Sequence, residues 1–277
     1  MRIVARWVLL AVAATCGSGA AAGPAQEKDL PAAGEIIAKA VAWAKWHRER
    51  NFHTQWTFEH TNTARHLNDD EQIQSTGTRH FQVYPLSGEQ YYEWVRDNGE
   101  PLSPSDQFKE QKRKEKFIEQ AGKKATGDSA GDDEDETDIR FDQELISRYD
   151  SEVVGTEEIN GRTAYVLRFY PKSGPLPVRR RADHALNKSR GRLWIDTAEF
   201  VVLRVEFELM EPVRLWAGLL GSISRLRGRL TLAELGGGAW YYKEIELHMK
   251  GRIFIKPFHE DRLLEWTNSQ PVPPSSE

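Results

Sequence analysis

The sequence predicts an α+β protein built on one antiparallel sheet. A segment near the start has apolar residues at helical spacing, and segments that alternate apolar and polar residues follow it at short intervals. Most connections between these segments are short turns, which favours antiparallel hairpins over parallel strands joined by helices. With 277 residues, of which 39% are hydrophobic, the chain is large enough to bury a core.

Residues 1–22 are predicted to be a secretory signal peptide. Arg2 and Arg6 give it a positive start, Trp7–Ala14 is its short apolar run, and the small residues ending at Ala22 suit cleavage. Residues 23–31 then form a flexible leader. We therefore expect an exported protein that works in the periplasm.

Cys16 leaves a second interpretation of the N-terminus open. Lipoprotein signals place the acylated cysteine directly after small residues, and Cys16 follows Ala13, Ala14 and Thr15, of which the first and last fit that pattern poorly. Lipidation at Cys16 would anchor the protein. Cleavage after Ala22 would instead leave a mature chain without any cysteine.

A helix and an antiparallel meander are predicted for the first half of the chain. Ala32–Glu49 carries apolar residues along one broad face, which indicates an amphipathic helix. The alternating segments that follow predict three strands, His53–His66, Thr76–Tyr84 and Gln90–Arg96. Asp97–Gly99 is a tight turn, because Asn and Gly tolerate positive φ.

A charged insertion of residues 104–138 separates the two halves. Pro104–Lys124 mixes basic and acidic side chains and is predicted to be a solvated helix with few apolar contacts. Gly127–Asp138 contains seven acidic residues among small ones, which is typical of a disordered loop. These acids lack the ligand spacing of a calcium-binding EF-hand.

The second half predicts a short helix, Ile139–Tyr149, and six more strands. Turn residues separate these strands, which are Ser151–Glu157, Thr163–Tyr170, Gly191–Asp196, Val201–Leu209, Arg227–Glu234 and Trp240–Phe254. Residues 32–270 are expected to form a single domain, with residues 271–277 as a flexible tail.

Val213–Leu226 is predicted to be a further helix, because its apolar residues recur at helical spacing between flanking arginines. Three interpretations of this helix stay open. It packs on the sheet, it is a lid whose apolar side faces a ligand cavity, or it lies on a membrane surface.

Several stretches resemble the LolA/LolB lipoprotein-carrier superfamily, which includes the RseB/MucB-type sensors. Tyr149–Tyr170 (YDSEVVGTEEINGRTAYVLRFY) is similar to their strand–turn–strand unit with the pattern G-x-E-x-I-x-G-R. Gly191–Glu208 (GRLWIDTAEFVVLRVEFE) is similar to their W-I-D hairpin, and Ala33–Trp46 to their opening helix. The layout of most of residues 32–257 resembles that of the superfamily, and Thr78–Ser103 adds to the likeness.

The resemblance implies a strongly curved antiparallel sheet, an incomplete β-barrel, with helices covering its open concave side. The space between them would hold acyl chains. Within the W-I-D hairpin, Trp194 should point inward, Ile195 outward, and Asp196 should open the turn. The charged insertion departs from the small carriers, and no arginine matches their ligand-gating residue, so no functional residue is transferred.

The predicted function is that of an exported cell-envelope protein that holds lipid or lipoprotein acyl chains in an apolar cavity, as a carrier or a sensor. The cavity candidates are apolar residues at inward strand positions and on the 213–226 helix, namely Trp56, Phe58, Phe81, Tyr91, Trp94, Leu167, Trp194, Val205, Trp216, Leu219, Leu220 and Ile223. The alternative is a non-catalytic envelope scaffold with a filled core that binds another envelope protein. A third hypothesis, an exported enzyme, would need polar side chains converging in a cleft.

No motif in the sequence points to catalysis, a metal or a cofactor. The chain has no H-E-x-x-H, no G-x-S-x-G and no P-loop. A metal site of His60, His66 and His80 would need a favourable strand register, and the other interpretation is polar residues on a solvated face. We therefore predict a protein without catalytic residues, resident metal or cofactor.

Arg179, Arg180 and Arg181 form the densest basic patch of the sequence. This patch is either a solvated loop or a site for anionic headgroups or a partner's acidic surface. The formal net charge of −4 argues against nucleic acid as a partner. The chain has no uninterrupted run of 18 apolar residues, so any membrane contact is expected to be peripheral.

Overall fold

The computed structural model describes residues 30–126, 139–215 and 221–272. These residues form one open, 12-stranded antiparallel sheet with α-helices, which confirms the α+β class. The strands are β1 (Trp56–Leu67), β2 (Ile73–Leu86), β3 (Glu89–Asp97), β4 (Glu100–Pro101), β5 (Tyr149–Ile159), β6 (Arg162–Pro171), β7 (Ser189–Asp196), β8 (Val202–Leu209), β9 (Val213–Leu215), β10 (Gly221–Gly236), β11 (Ala239–Ile253) and β12 (Lys256–Pro271). The helices are α1 (Ala33–Glu49), α2 (Pro104–Thr126), α3 (Gln143–Ser147) and α4 (Asp183–Leu186).

Some predictions fall outside the described residues. They are the signal peptide, most of the leader, the acidic run Gly127–Asp138 and most of the C-terminal tail.

The sheet consists of three meanders, β1–β4, β5–β8 and β10–β12. Its strand order is β4-β3-β2-β1-β12-β11-β10-β8-β7-β6-β5, and β9 pairs with β10 beside this path. The last meander therefore lies between the first two, because β12 pairs with β1 and β10 pairs with β8. The sheet ends at β4 and β5 and is not closed into a barrel.

Helix α1 packs its apolar stripe against the middle meander. Ile36 and Ala40 have no exposed surface, and Ile37 is 7% exposed. This spacing places all three on one side of the helix. Together with residues of β5, β6 and β7 they form a core cluster, which comprises Ile36, Ile37, Ala40, Tyr149, Leu167, Phe169, Leu193 and Ile195. The predicted opening helix is confirmed.

Two Asn-Gly pairs make the tight turns of the hairpins β3–β4 and β5–β6. Asn98 and Gly99 have φ values of 51° and 85°, and Asn160 and Gly161 have values of 52° and 78°. Positive φ at both central residues is the geometry of a type I′ turn, which matches the twist of the flanking strands. Both turns lie where the sequence predicts them.

The predicted helix Val213–Leu226 is wrong in the residues that the structure describes. Val213–Leu215 is strand β9, and Ile223 within β10 pairs with Val213 on one side and with Gly251 on the other. Gly221 has a positive φ of 147°, which lies outside the helical range. Strand pairing on both sides supplies the backbone hydrogen bonds, so tertiary context overrides a short apolar pattern that fits either element. Residues 216–220 lie outside the described part.

Strand β12 is the largest element that the sequence analysis missed. It covers 16 residues and pairs with both β1 and β11. Acidic residues occur at consecutive positions, Glu260 and Asp261, so the period-two alternation is broken where the strand crosses the centre of the sheet. Smaller corrections are that α3 covers only Gln143–Ser147, and that Phe52–Gln55 is a 3₁₀ turn before β1.

The strand register divides the sheet into an apolar face and a charged face. One row of cross-strand partners defines the apolar face, namely Val153, Leu167, Leu193, Val205, Leu230, Ile245 and Leu264. The next residue along each strand belongs to the row that defines the charged face, namely Glu152, Arg168, Arg192, Glu206, Arg229, Glu246 and Leu263. Side chains alternate between faces along a strand, so the two rows point in opposite directions.

The two long helices lie on opposite faces of the sheet. Helix α1 contacts Leu167 and Leu193 of the apolar face. Helix α2 contacts Tyr91, whose cross-strand partner is Tyr84. Val83, the residue next to Tyr84, lies on the same face as Phe58 and His60, so Tyr84 and Tyr91 point to the opposite face. The LolA/LolB-type resemblance implies helices on one side of the sheet, but the register places α2 on the face opposite to that of α1.

Candidate functional site

The predicted cavity residues in the middle meander are packed in two core clusters. Leu167 is fully buried beneath α1, and Val205 packs against the same cluster. Trp194 is 3% exposed and belongs to a second cluster, and its indole N–H donates to Glu157 Oε2 at 2.8 Å. These three residues therefore support the fold on both faces of the β7 strand.

The W-I-D hairpin has the predicted turn but a different orientation of Ile195. Asp196 Oδ1 accepts hydrogen bonds from the backbone N–H groups of Ala198 and Glu199, at 2.9 and 2.7 Å, so it does open the turn. Ile195 was expected to point outward and is instead fully buried beneath α1. Both faces are covered at this hairpin, so alternation does not place either neighbour in water.

Three further cavity candidates lie in the first meander and contact aromatic neighbours. Phe58 is 1% exposed and stacks on Tyr241 with 4.5 Å between ring centroids. Phe81 lies 5.5 Å from the His60 ring. Tyr91 packs against Phe117 of α2 on the other face, and burial together with its hydrogen bond to Glu110 raises its pKa.

The remaining candidates are half-buried or lie outside the described residues. Trp56 is half-buried at the start of β1, and the ring of Trp94 carries the Arg79 guanidinium 4.8 Å from its centroid. Ile223 is half-buried in β10. Trp216, Leu219 and Leu220 lie outside the described residues. The described candidates are thus distributed over separate packing groups, and their role as ligand contacts stays a prediction.

An aromatic cluster surrounds His60 on the apolar face. Phe81, Tyr92 and Trp266 lie with ring centroids 4.4 to 5.5 Å from the His60 ring. His60 Nδ1 lies 3.1 Å from the Glu265 carbonyl oxygen. Burial lowers the pKa of His60 to about 4, although the Glu265 carbonyl acts in the opposite direction. His60 is therefore neutral at physiological pH, and this patch of the sheet is apolar and aromatic.

A cavity of about 700 Å³ opens on strands β7, β8 and β10–β12, and charged side chains dominate its lining. Arg190 and Glu208 form an ion pair at 2.7 Å, and Arg229 pairs with Glu246. Burial, with the neighbouring Glu246, raises the pKa of the Glu244 carboxyl. The period-two arginines and glutamates of these strands are visible in the sequence. Their juxtaposition depends on β10 pairing with β8, which the sequence does not reveal.

The basic patch is tied to a buried ion pair. The backbone N–H groups of Arg179 and Arg180 donate to Asp183 Oδ2 at 2.7 and 3.1 Å. Arg148 has no exposed surface and lies 3.2 Å from the same carboxylate. Burial alone would raise the pKa of Asp183, but these N–H groups and the Arg148 guanidinium hold it below its usual range. A headgroup site at residues 179–181 stays a prediction.

The three histidines considered as metal ligands, His60, His66 and His80, lie in different surroundings. His66 is exposed and lies 3.5 Å from Glu260, and His80 Nδ1 lies 3.3 Å from the Thr61 hydroxyl. Within the described ranges, His60, His66 and His80 do not form a group of converging ligand atoms. None of the described helices is both long and apolar enough to cross a membrane.

Several solved structures align with most of this chain at low sequence identity. A Vibrio parahaemolyticus domain described as an outer membrane lipoprotein-sorting protein aligns over 87% of this chain and 95% of its own, at 12% identity and a TM-score of 0.37. A LolA-superfamily protein from Nitrosomonas europaea aligns over 88% and 94%, at 13% identity and a TM-score of 0.32.

A chain of the Pseudomonas aeruginosa MucA/MucB complex aligns over 85% of this chain and 99% of its own, at 13% identity and a TM-score of 0.23. No protein-family model and no curated protein matches the sequence.

Proposed function

We propose that this chain is an exported cell-envelope binding protein that holds the acyl chains of lipids or lipoproteins on the apolar face of its sheet. One observation carries the proposal. The core cluster beneath α1 ends at Val205 and Phe207 on β8. The apolar row continues beyond it on the next three strands with Leu230, Ile245 and Leu264, which are only partly buried.

This uncovered part of the row suits a flexible apolar ligand. Each methylene group removed from water contributes about 0.8 kcal/mol, so an acyl chain lying along the row gains several kcal/mol from burial alone. The rings of Phe207 and Phe258 lie across Gly228 and Gly251 of the neighbouring strands and add aromatic surface to this face. The ligand class is also the one that the LolA/LolB-type resemblance implies.

The β11–β12 hairpin tip supports contact with a lipid surface. Ile253, Phe254 and Ile255 are 60%, 58% and 88% exposed. Arg252 and Lys256 flank them. Apolar side chains between basic ones are typical of segments that enter the interface of an anionic membrane, so the tip offers a place where an acyl chain could pass between a bilayer and the apolar face.

Native mass spectrometry of the full chain, exported to and purified from a bacterial envelope, tests the proposal. We expect a bound mass that organic extraction identifies as phospholipid or acylated peptide. Uptake of a fluorescent fatty-acid analogue by the delipidated protein provides a second measurement that does not depend on the natural ligand.

Variants of two adjacent β11 residues test which face of the sheet binds the acyl chain. Ile245→Ser should reduce uptake of the fatty-acid analogue, whereas Glu246→Gln on the charged face should leave it unchanged, with circular dichroism confirming that both variants fold. A bare polypeptide mass and no uptake by the parent protein would overturn the proposal in favour of a non-catalytic scaffold that docks another envelope protein.

A further inference from the structure

A pair of histidines on the charged face has an arrangement that the proposed acyl-chain binding does not use. His248 on β11 is the cross-strand partner of Asp261 on β12, and His259 lies two residues before Asp261. Both histidines therefore point to the same face of the sheet. Each is only 7% exposed. The turn between β1 and β2 brings Glu71 to the same place.

Hydrogen bonds determine which ring nitrogens carry hydrogen. His248 Nδ1 lies 2.5 Å from Asp261 Oδ1, and His259 Nδ1 lies 3.0 Å from the backbone carbonyl oxygen of Asn68. A carboxylate and a carbonyl can only accept, so each Nδ1 must donate. In the neutral rings, both Nε2 atoms then present lone pairs.

These two lone pairs face each other. The Nε2 atoms of His248 and His259 are 3.4 Å apart. Two nitrogen lone pairs at this distance repel each other unless a cation, either a proton or a metal ion, lies between them. Nitrogen ligands about 2.0–2.1 Å from a tetrahedral zinc ion lie about 3.3–3.4 Å from each other, which is the separation observed.

We propose that His248, His259 and Glu71 form a binding site for a divalent transition-metal ion of the zinc class. One ligand atom from each residue lies within 4.8 Å of the other two. Two imidazoles and one carboxylate are a ligand set that zinc accepts, with the fourth position open to water. Glu71 is exposed, so an ion can reach the site from solvent.

The outer contacts match those of protein metal sites. Metal-bound histidines characteristically donate the other ring N–H to a carboxylate or a backbone carbonyl, which fixes the tautomer and the ring orientation. Asp261 and the Asn68 carbonyl take these two roles here.

The turn that carries Glu71 is held on the sheet by two ion pairs. Asp69 accepts from Lys250 at 2.9 Å, and Glu71 Oε1 accepts from Arg225 at 2.9 Å. Lys250 and Arg225 are thus each paired with a carboxylate of the turn. A carboxylate has two oxygens, so Glu71 can bind an ion through one of them while Arg225 contacts the other. A bound ion would tie the β1–β2 turn to β11 and β12.

The full chain, purified without a polyhistidine tag and stripped with a chelator, provides the test. Calorimetric titration with zinc chloride should show one ion bound per chain, and cobalt(II) should give the visible absorption of a tetrahedral site. If the parent protein lacks the calorimetric zinc signal or the cobalt(II) absorption, the proposal is overturned. The short distance between the two Nε2 atoms would then be explained by a proton that the two rings share.

Variants locate the ion. His248→Gln and His259→Gln should each abolish this binding, Glu71→Gln should weaken it, and Asp261→Asn should weaken it about 10- to 100-fold by releasing the His248 ring. His66→Gln, at an exposed histidine on neighbouring β1, is the matched control and should bind zinc like the parent. Equal binding by the His248 and His66 variants would contradict the assignment.

Discussion

The two faces of this sheet are made by the same strands and are organised in opposite ways. On β8, Val205 packs against the core beneath α1, whereas Glu206, the next residue, lines the charged cavity. The apolar face holds its residues by exclusion of water and close packing. Around the charged cavity, the charged face holds its residues by cross-strand pairing of opposite charges and stays open to solvent. A substitution should therefore have a large effect on stability on one face and a small one on the other.

The largest contrast is expected between Leu167 and Arg168 on β6. Leu167 has no exposed surface, so Leu167→Ala should lower the free energy of unfolding by about 2–5 kcal/mol. The Arg168 side chain is 39% exposed and pairs with Glu152, so Arg168→Ala should cost at most about 1 kcal/mol. Urea denaturation measures both values. Similar losses in the two variants would break the distinction between the faces.

The second prediction concerns the pH dependence that His60 gives to the apolar face. Burial lowers its pKa from 6.5 to about 4. Between these values the unfolded chain binds a proton that the folded chain does not. The free energy of unfolding is therefore highest above pH 6.5, and the His60 contribution lowers it as the pH decreases from 6.5 to about 4.

The full shift corresponds to a loss on the order of 3 kcal/mol. His60→Gln keeps a donor for the Glu265 carbonyl and removes the titrating ring. The difference in unfolding free energy between parent and variant should change across this pH window. A difference that is constant between pH 7 and pH 4 would show that the ring is not held in a water-excluded environment.

The sequence was most informative where local chemistry decides the structure. The Asn160-Gly161 turn, the stripe of α1 and the hairpins of β5–β8 follow from positive φ, helical spacing and alternation. Local pattern failed at Val213–Leu215, where pairing with β10 outweighed helical spacing, and at β12, whose consecutive acids disguise a central strand.

The candidate sites depend even more on long-range pairing. His248 and Glu71 are separated by most of the chain, and only the order β1-β12-β11 brings them together. A single sequence carries no signal for that order. The alternating charges of β7, β8, β10 and β11 are present in the sequence, but the pairing of Arg190 with Glu208 requires the register.

A third prediction tests close packing on the apolar face at Gly228. A Cβ atom added there would lie 2.5 Å from the Phe207 ring and 2.9 Å from a Leu247 methyl group. Gly228→Ala should therefore lower the free energy of unfolding by about 1–3 kcal/mol. Gly34→Ala is the control, because its added Cβ has no atom within 4 Å, and it should be neutral or slightly stabilising. Thermal denaturation of both variants distinguishes crowding from a general effect of losing glycine.

The smallest effect is expected for an ion pair on the charged face. Arg190 and Glu208 lie 2.7 Å apart with side chains 49% and 52% exposed. Water competes for both groups, so a double-mutant cycle of Arg190→Gln and Glu208→Gln should give a coupling energy of about 0.2–1 kcal/mol. The coupling should shrink in high salt, because screening acts on solvent-exposed charges. A salt-independent coupling of several kcal/mol would mean that the pair is desolvated, and the charged face would then share the dry packing of the apolar one.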